Sequence, residues 1–135
     1  MKEILIQKAK EAMKSAYAPY SRFKVGAALL CSDGSIYTGC NIENASYSPT
    51  VCAERVAIFK AVSDGKREFS AIAVCGGKDG VLTEKHCYPC GVCRQVLSEF
   101  CDKDFIIYVM SKDDVKEYTL SELLPESFGT EDVNI

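Results

Sequence analysis

Three short apolar runs, at residues 25–31, 69–75 and 105–110, alternate with stretches whose apolar residues recur at helical spacing. Such alternation predicts strands buried in a sheet with helices packed over them, because strands covered on both faces must be apolar throughout. A first helix is predicted over residues 2–17, where Leu5, Ala9, Ala12, Met13 and Ala16 share a face, and Pro19 is expected to stop it. The run at 25–31 turns at Ser32-Asp33-Gly34-Ser35 and returns over 36–40, the pattern of a hairpin. Residues 41–50 are polar, and Thr50 is placed to cap a helix over 51–64 that Gly65 ends. After the strand at 69–75 comes a polar stretch, 78–88, with no role legible in it. Pro89 then opens a helix over 90–101. The strand at 105–110 is followed by one at 116–120, too close for a parallel crossover, then by a helical turn at 121–124 and a tail. The order α-β-β-α-β-α-β-β predicts an α/β fold, a three-layer α/β/α sandwich with a mixed five-stranded sheet. Its middle strands share a direction and its end hairpins are antiparallel. In such sheets sites gather at strand carboxyl ends and helix starts.

At 135 residues the chain is read as one domain, 1–135, long enough to bury a real core. A net charge of −3 is poor footing for gripping a polyanion, so nucleic acid polymers and acidic membrane surfaces are not expected partners; a small neutral substrate is. Eight cysteines are the compositional outlier. Charges spread through residues 1–17 argue against a signal peptide, and no segment approaches about 18 uninterrupted apolar residues. A cytoplasmic chain is therefore expected, in which clustered cysteines are metal ligands and scattered ones core residues.

Pro89-Cys90-Gly91-Val92-Cys93 is a Cys-x-x-Cys at a helix start. The i, i+3 spacing puts both sulfurs on one face, and unpaired N–H groups favour thiolates there. Alone, this motif fits a redox pair or half of a structural zinc site. The second pair that a structural site needs is missing. A third cysteine, Cys52, also stands at a helix start, and two such starts can converge on one ion. Three protein ligands leave the fourth position of zinc open to water, as catalytic sites require. Glu54 is two residues from a ligand, near enough to handle that water's proton, although i, i+2 residues point apart on an ideal helix. Arg55, at i+3 from Cys52, can reach its thiolate and draw charge from the electron-rich ion. His86 and Cys87 are not expected as ligands, because a fourth protein ligand would close the site. Cys31, Cys40, Cys75 and Cys101 read as small buried hydrophobes.

Cys52-Ala53-Glu54-Arg55 together with Pro89-Cys90-Gly91-Val92-Cys93-Arg94-Gln95 resembles the zinc cytidine deaminases. The stretches 21–29, 39–47 and 123–129 resemble that family's first strand, nucleoside-binding loop and C-terminal segment, so the likeness covers nearly the whole chain. It implies the small homotetrameric class, with one zinc ion per chain, which deaminates free cytidine and deoxycytidine to uridine and deoxyuridine. It implies that Glu54 carries a proton from the zinc-activated water to N3 of the base and then to the amino group that leaves as ammonia. It further implies that Asn41 and Glu43 bond the ribose hydroxyls, that Phe23 packs near sugar and base, and that the backbone around Ala53 orients the base. Phe128 is implied to reach the ring from a neighbouring subunit, with Tyr47 near the same shared site. The family often has Pro after the Phe-Gly pair, where this chain has Thr130.

Three rival functions follow from the same residues. Deamination of another aminopyrimidine nucleoside, such as an antibiotic, would share the zinc motif, but the Asn41/Glu43 pair argues against it. Polynucleotide deamination needs a basic groove that this composition lacks. A structural zinc domain needs four ligands.

Overall fold

A computed structural model describes residues 1–133 of the chain. In chain order the elements are α1 (Lys2–Met13), β1 (Phe23–Cys31), β2 (Ile36–Cys40), α2 (Ala53–Ser63), β3 (Phe69–Lys78), α3 (Gly91–Phe100), β4 (Ile106–Met110), β5 (Val115–Thr119), α4 (Leu120–Leu123) and α5 (Thr130–Val133). The sheet has five strands in the order β2-β1-β3-β4-β5. Strands β1 and β2 pair antiparallel, as do β1 and β3, while β3 and β4 are parallel and β4 and β5 antiparallel. Strands β2, β3 and β4 therefore share one direction, as the intervening helices predict, but β1 lies between the first two. That placement is long-range and has no local signal.

Alternation along the strands sorts the core into two layers. Ala27, Leu29, Ile72, Val74, Ile107 and Val109 face α2, α3 and α4, where Ala57, Ile58, Ala61, Leu97 and Leu120 meet them. Ala28, Ala71, Ala73 and Cys75 face the other way, under Leu5, Ala9 and Met13 of α1. The second face is lined by small residues, which lets α1 sit close. A Cβ on Gly26 would stand 2.1 Å from the Ala9 carbonyl oxygen. Each large aliphatic buried here stabilises the fold by about 1.5–3 kcal/mol, so the covered central strands anchor the rest. The three-layer α/β/α sandwich with a mixed five-stranded sheet is thus the observed fold.

The first helix stops short of its predicted end at residue 17. The Tyr17 N–H donates to the Asn41 carbonyl, and the Tyr17 carbonyl accepts from the Glu43 N–H, so residue 17 is drawn into a bridge with Ile42. This tertiary pairing outcompetes local helix spacing well before Pro19 acts. No helix among the described residues is long and apolar enough to cross a membrane.

Candidate active site

Both site helices start later than their sequence suggests, and the difference decides the chemistry. Thr50 does not cap α2; its Oγ1 accepts from the Asn44 N–H at 3.1 Å. Val51 exchanges two backbone hydrogen bonds with Ile42, 3.0 Å each, which holds it extended. Cys52 is therefore the N-cap of α2 (φ −81°, ψ 156°), and Cys90 is the N-cap of α3 (φ −69°, ψ 168°). An N-cap side chain folds back over the third helical residue. That geometry joins Cys90 with Cys93 and Cys52 with Arg55, whose Nη2 lies 3.4 Å from the Cys52 sulfur. It also removes the difficulty of Glu54 at i+2. Because Cys52 lies outside the helix, helical angular spacing does not separate the two, and both side chains line one cleft.

The sulfurs of Cys52, Cys90 and Cys93 lie within 4.8 Å of one another, with Cys52 and Cys90 3.7 Å apart. Tetrahedral zinc with bonds of about 2.3 Å requires sulfurs about 3.8 Å apart, so this soft donor set fits the ion. The Cys52 thiol is held down to about 5, chiefly by the hydrogen bond from Cys93 and then by Arg55, against the effect of burial. Cys93 is pushed up by donating that bond and by its own burial. The Arg55 guanidinium beside Cys52 favours its thiolate.

Glu54 is 3% exposed, and its Oε1 is buried with no hydrogen-bond partner. Desolvation, joined by the charge on Cys52, pushes its carboxyl up to about 7. An orphaned carboxylate oxygen is costly unless something is to occupy the space before it. Arg55 Nε is likewise buried without a partner.

The cleft has a volume of about 230 Å³. Phe23, Asn41, Thr50, Cys52, Glu54 and Cys90 line it, with Cys87 and Tyr88 on a further wall. Phe23, at the start of β1, is 41% exposed and so is not a core residue. Asn41 is buried; its Oδ1 accepts from the Val25 N–H at 2.8 Å and its Nδ2 donates to the Phe23 carbonyl at 2.7 Å. Glu43 stands in an adjoining hollow that shares Ser21 and Thr50 with the cleft. Its Oε1 accepts from the Tyr20 and Ser21 N–H groups and its Oε2 from the Ser21 hydroxyl, which hold its carboxyl below the usual range. Ala53 is buried at the first position of α2, close over Gly39 of β2. Tyr47 and Phe128 are exposed and lie outside the cleft. Tyr47 meets Tyr20 edge-on in the hollow, and the Phe128 carbonyl accepts from Gln95 Nε2 at 2.9 Å.

Cys87 is pushed up to about 12 by burial, and His86 Nε2 is bonded to Asp114. Sequence reading assigned nothing to Ser21, Cys87 or Tyr88 as cleft walls. The one local signal was the nearness of residues 87 and 88 to Cys90. All eight cysteines are free thiols, with Cys31 and Cys75 buried and Cys40 and Cys101 half-buried.

A family model described as the cytidine and deoxycytidylate deaminase zinc-binding region matches residues 1–109. The chain is 52% identical over 133 residues to the cytidine deaminase of Sporosarcina psychrophila, covering 98% of this chain and 94% of the relative. It is 51% identical over 134 residues to the cytidine deaminase of Halalkalibacterium halodurans, covering 98% of each. Among solved structures, it matches the cytidine deaminase of Burkholderia pseudomallei with a TM-score of 0.88 and 45% identity, over 95% of this chain and 99% of that one.

Proposed function

Because the chain belongs to the cytidine and deoxycytidylate deaminase zinc-binding family, we propose that its cleft converts cytidine or deoxycytidine, with water, into uridine or deoxyuridine and ammonia. The observation that carries this reading is the orphaned Oε1 of buried Glu54 in a cleft lined by Cys52 and Cys90, whose sulfurs converge with that of Cys93. Zinc held by Cys52, Cys90 and Cys93 would supply an acidified water opposite C4 of the base. Glu54 would carry one proton from the attacking water to N3 and the second, released from the new C4 hydroxyl as the C4 carbonyl forms and the C4–N bond breaks, to the departing amine. Its burial suits this work, since a desolvated carboxylate binds and releases protons closer to neutrality than an exposed one. Arg55 shares charge with Cys52 through its hydrogen bond.

Phe23 borders the mouth where sugar and base would lie, with the buried first turn at Ala53 forming the base's backing. Asn41 retains one amide hydrogen and Glu43 retains carboxylate lone pairs; we assign these to the ribose hydroxyls. Tyr47 and Phe128 fill no part of their own chain's cleft. With Phe59 and Val92, they leave large apolar side chains in water. These exposures support a homotetramer in which such residues close a neighbour's site. A cytoplasmic location suits eight free thiols. The relatives named cytidine deaminase do not favour the antibiotic-nucleoside reading.

Incubation of the purified protein with cytidine should yield uridine and ammonia in equal amounts, with one zinc per chain by elemental analysis after dialysis. A zinc-loaded protein that leaves cytidine untouched would overturn this function. Two zinc ions per chain would overturn the ligand assignment.

A further inference from the structure

The strip between β3 and α3 contributes a wall of the cleft, and it is braced from a distant part of the chain. Tyr88 and Cys87 line the same space as Cys52, Glu54 and Cys90. Tyr88 stands two residues before Cys90 in the chain and lines the cleft with it. Its ring is not free to swing. The Tyr88 and Tyr118 hydroxyls are hydrogen-bonded at 3.0 Å, and the two rings pack 5.7 Å apart at a 58° tilt. Tyr118 belongs to β5, at the edge of the sheet.

Behind Tyr88 the strip is fastened to the β4–β5 turn. The Lys112 N–H donates to the Thr83 carbonyl at 2.8 Å and the Cys87 N–H to the Met110 carbonyl at 3.1 Å. His86 Nε2 meets Asp114 Oδ1 at 2.5 Å, with the imidazole only 12% exposed. Asp114 is steadied in turn by the Ser111 hydroxyl at 3.0 Å. At Cys87 the strip packs closely on β3, where even a Cβ on Gly76 would stand 3.0 Å from the Cys87 sulfur.

We propose that Tyr88 is a specificity-determining residue that limits the bulk a cytidine can carry on C5, and that Tyr118 and the His86–Asp114 pair are its positioning residues. The proposal rests on the deaminase reading of the cleft. In the pyrimidine ring N3 and C5 flank C4 on opposite sides. With Glu54 of α2 serving N3, C5 turns to the wall that leads into α3. A substituent there meets a ring that is tied at its hydroxyl and packed against Tyr118. Rejection of one extra methyl by such a wall is worth about 10–200-fold in kcat/KM.

The test compares kcat/KM for cytidine and 5-methylcytidine within one preparation of each variant, so that any misfolded fraction cancels from the ratio. Tyr88→Ser should raise the 5-methylcytidine-to-cytidine ratio by about tenfold or more. Tyr88→Phe keeps the ring but loses the hydroxyl tie, so it should raise the ratio by less than Tyr88→Ser does and by about as much as Tyr118→Phe. Tyr118→Phe and His86→Ala loosen the wall without removing it, so each should raise the ratio by less than Tyr88→Ser does. Turnover of cytidine with an unchanged ratio in both Tyr88→Ser and Tyr118→Phe overturns the wall while leaving the deaminase reading standing. Failure of the wild-type chain to act on either nucleoside overturns both.

Discussion

The first turns of α2 and α3 share a cysteine at the N-cap and then diverge at every position. After Cys52 come buried Ala53, Glu54 at 3% exposure and half-buried Arg55. After Cys90 come exposed Gly91, Val92 at 57% exposure and buried Cys93. The start of α2 runs down onto Gly39 of β2, so its second residue is pressed into the interior, where a carboxylate loses its water. The start of α3 turns its second residue outward and keeps only its sulfurs in the site. In the proposed reaction one helix start would supply a ligand and the reactive groups, and the other two ligands. The same capping geometry serves both because an N-cap side chain reaches the third residue, which is a cation in α2 and a thiol in α3.

That division can be tested from its strongest consequence down. Cys93→Ala should lose zinc, lower the melting temperature as chelation of the wild type should, and reduce kcat by more than about 10⁴-fold. Metal content and a melting curve check this; a variant that keeps zinc and turns over would dissolve the ligand role of α3. Glu54→Gln should keep zinc, because Glu54 is not among the converging sulfurs, and should lose at least about 10²–10⁴-fold in kcat. Adding Val92→Glu to it should recover nothing, since that position faces outward; any recovery would make the two helix starts interchangeable. Arg55→Gln should also keep zinc but lose a charge-assisted bond to sulfur, costing about tenfold in kcat. Full activity would reduce Arg55 to packing.

The smallest expected effect is on stability. A Cβ on Gly39 would lie 2.4 Å from the Ala53 carbonyl oxygen and 2.7 Å from the Ala57 nitrogen, so Gly39→Ala should destabilise by about 1–3 kcal/mol in urea unfolding. Gly91 has open space around it, and Gly91→Ala should be neutral or stabilising by up to about 1 kcal/mol. Equal costs at the two glycines would contradict the difference in seating of the two helices.

Local signals made part of this molecule readable in advance. The hairpin of β1 and β2 is marked by Asp33-Gly34, where Gly34 adopts φ 92° and the Asp33 side chain accepts from the Ser35 N–H. The cysteine spacing marked both site helices. What escaped notice depends on partners remote in sequence. The start of α2 was misplaced at residue 51 because Val51 is claimed by Ile42. The end of α1 was misplaced because Tyr17 is claimed by the same loop. No role was legible in residues 78–88 because the groups that fix them, Met110, Lys112, Asp114 and Tyr118, lie beyond α3. Asn41 and Glu43 carried a motif, but their duty in holding the backbone of β1 and of residues 20–21 is visible only in the fold.

The position of β1 has a consequence for the spacing of the two helices. In the register of the sheet, Cys40 of β2 and Cys75 of β3 flank Gly26 of β1 on either side. Strands stand about 4.8 Å apart, so the ends of β2 and β3 are separated by roughly two strand widths, close to 10 Å. Packed helices need about 8–10 Å between their axes. Were β2 and β3 direct neighbours, the helices leaving them would have half the room they need and would have to splay. The interposed antiparallel strand acts as a spacer cut to helix width. It lets α2 and α3 start side by side, at the same end of the sheet, with their caps facing one another across the width of a single ion.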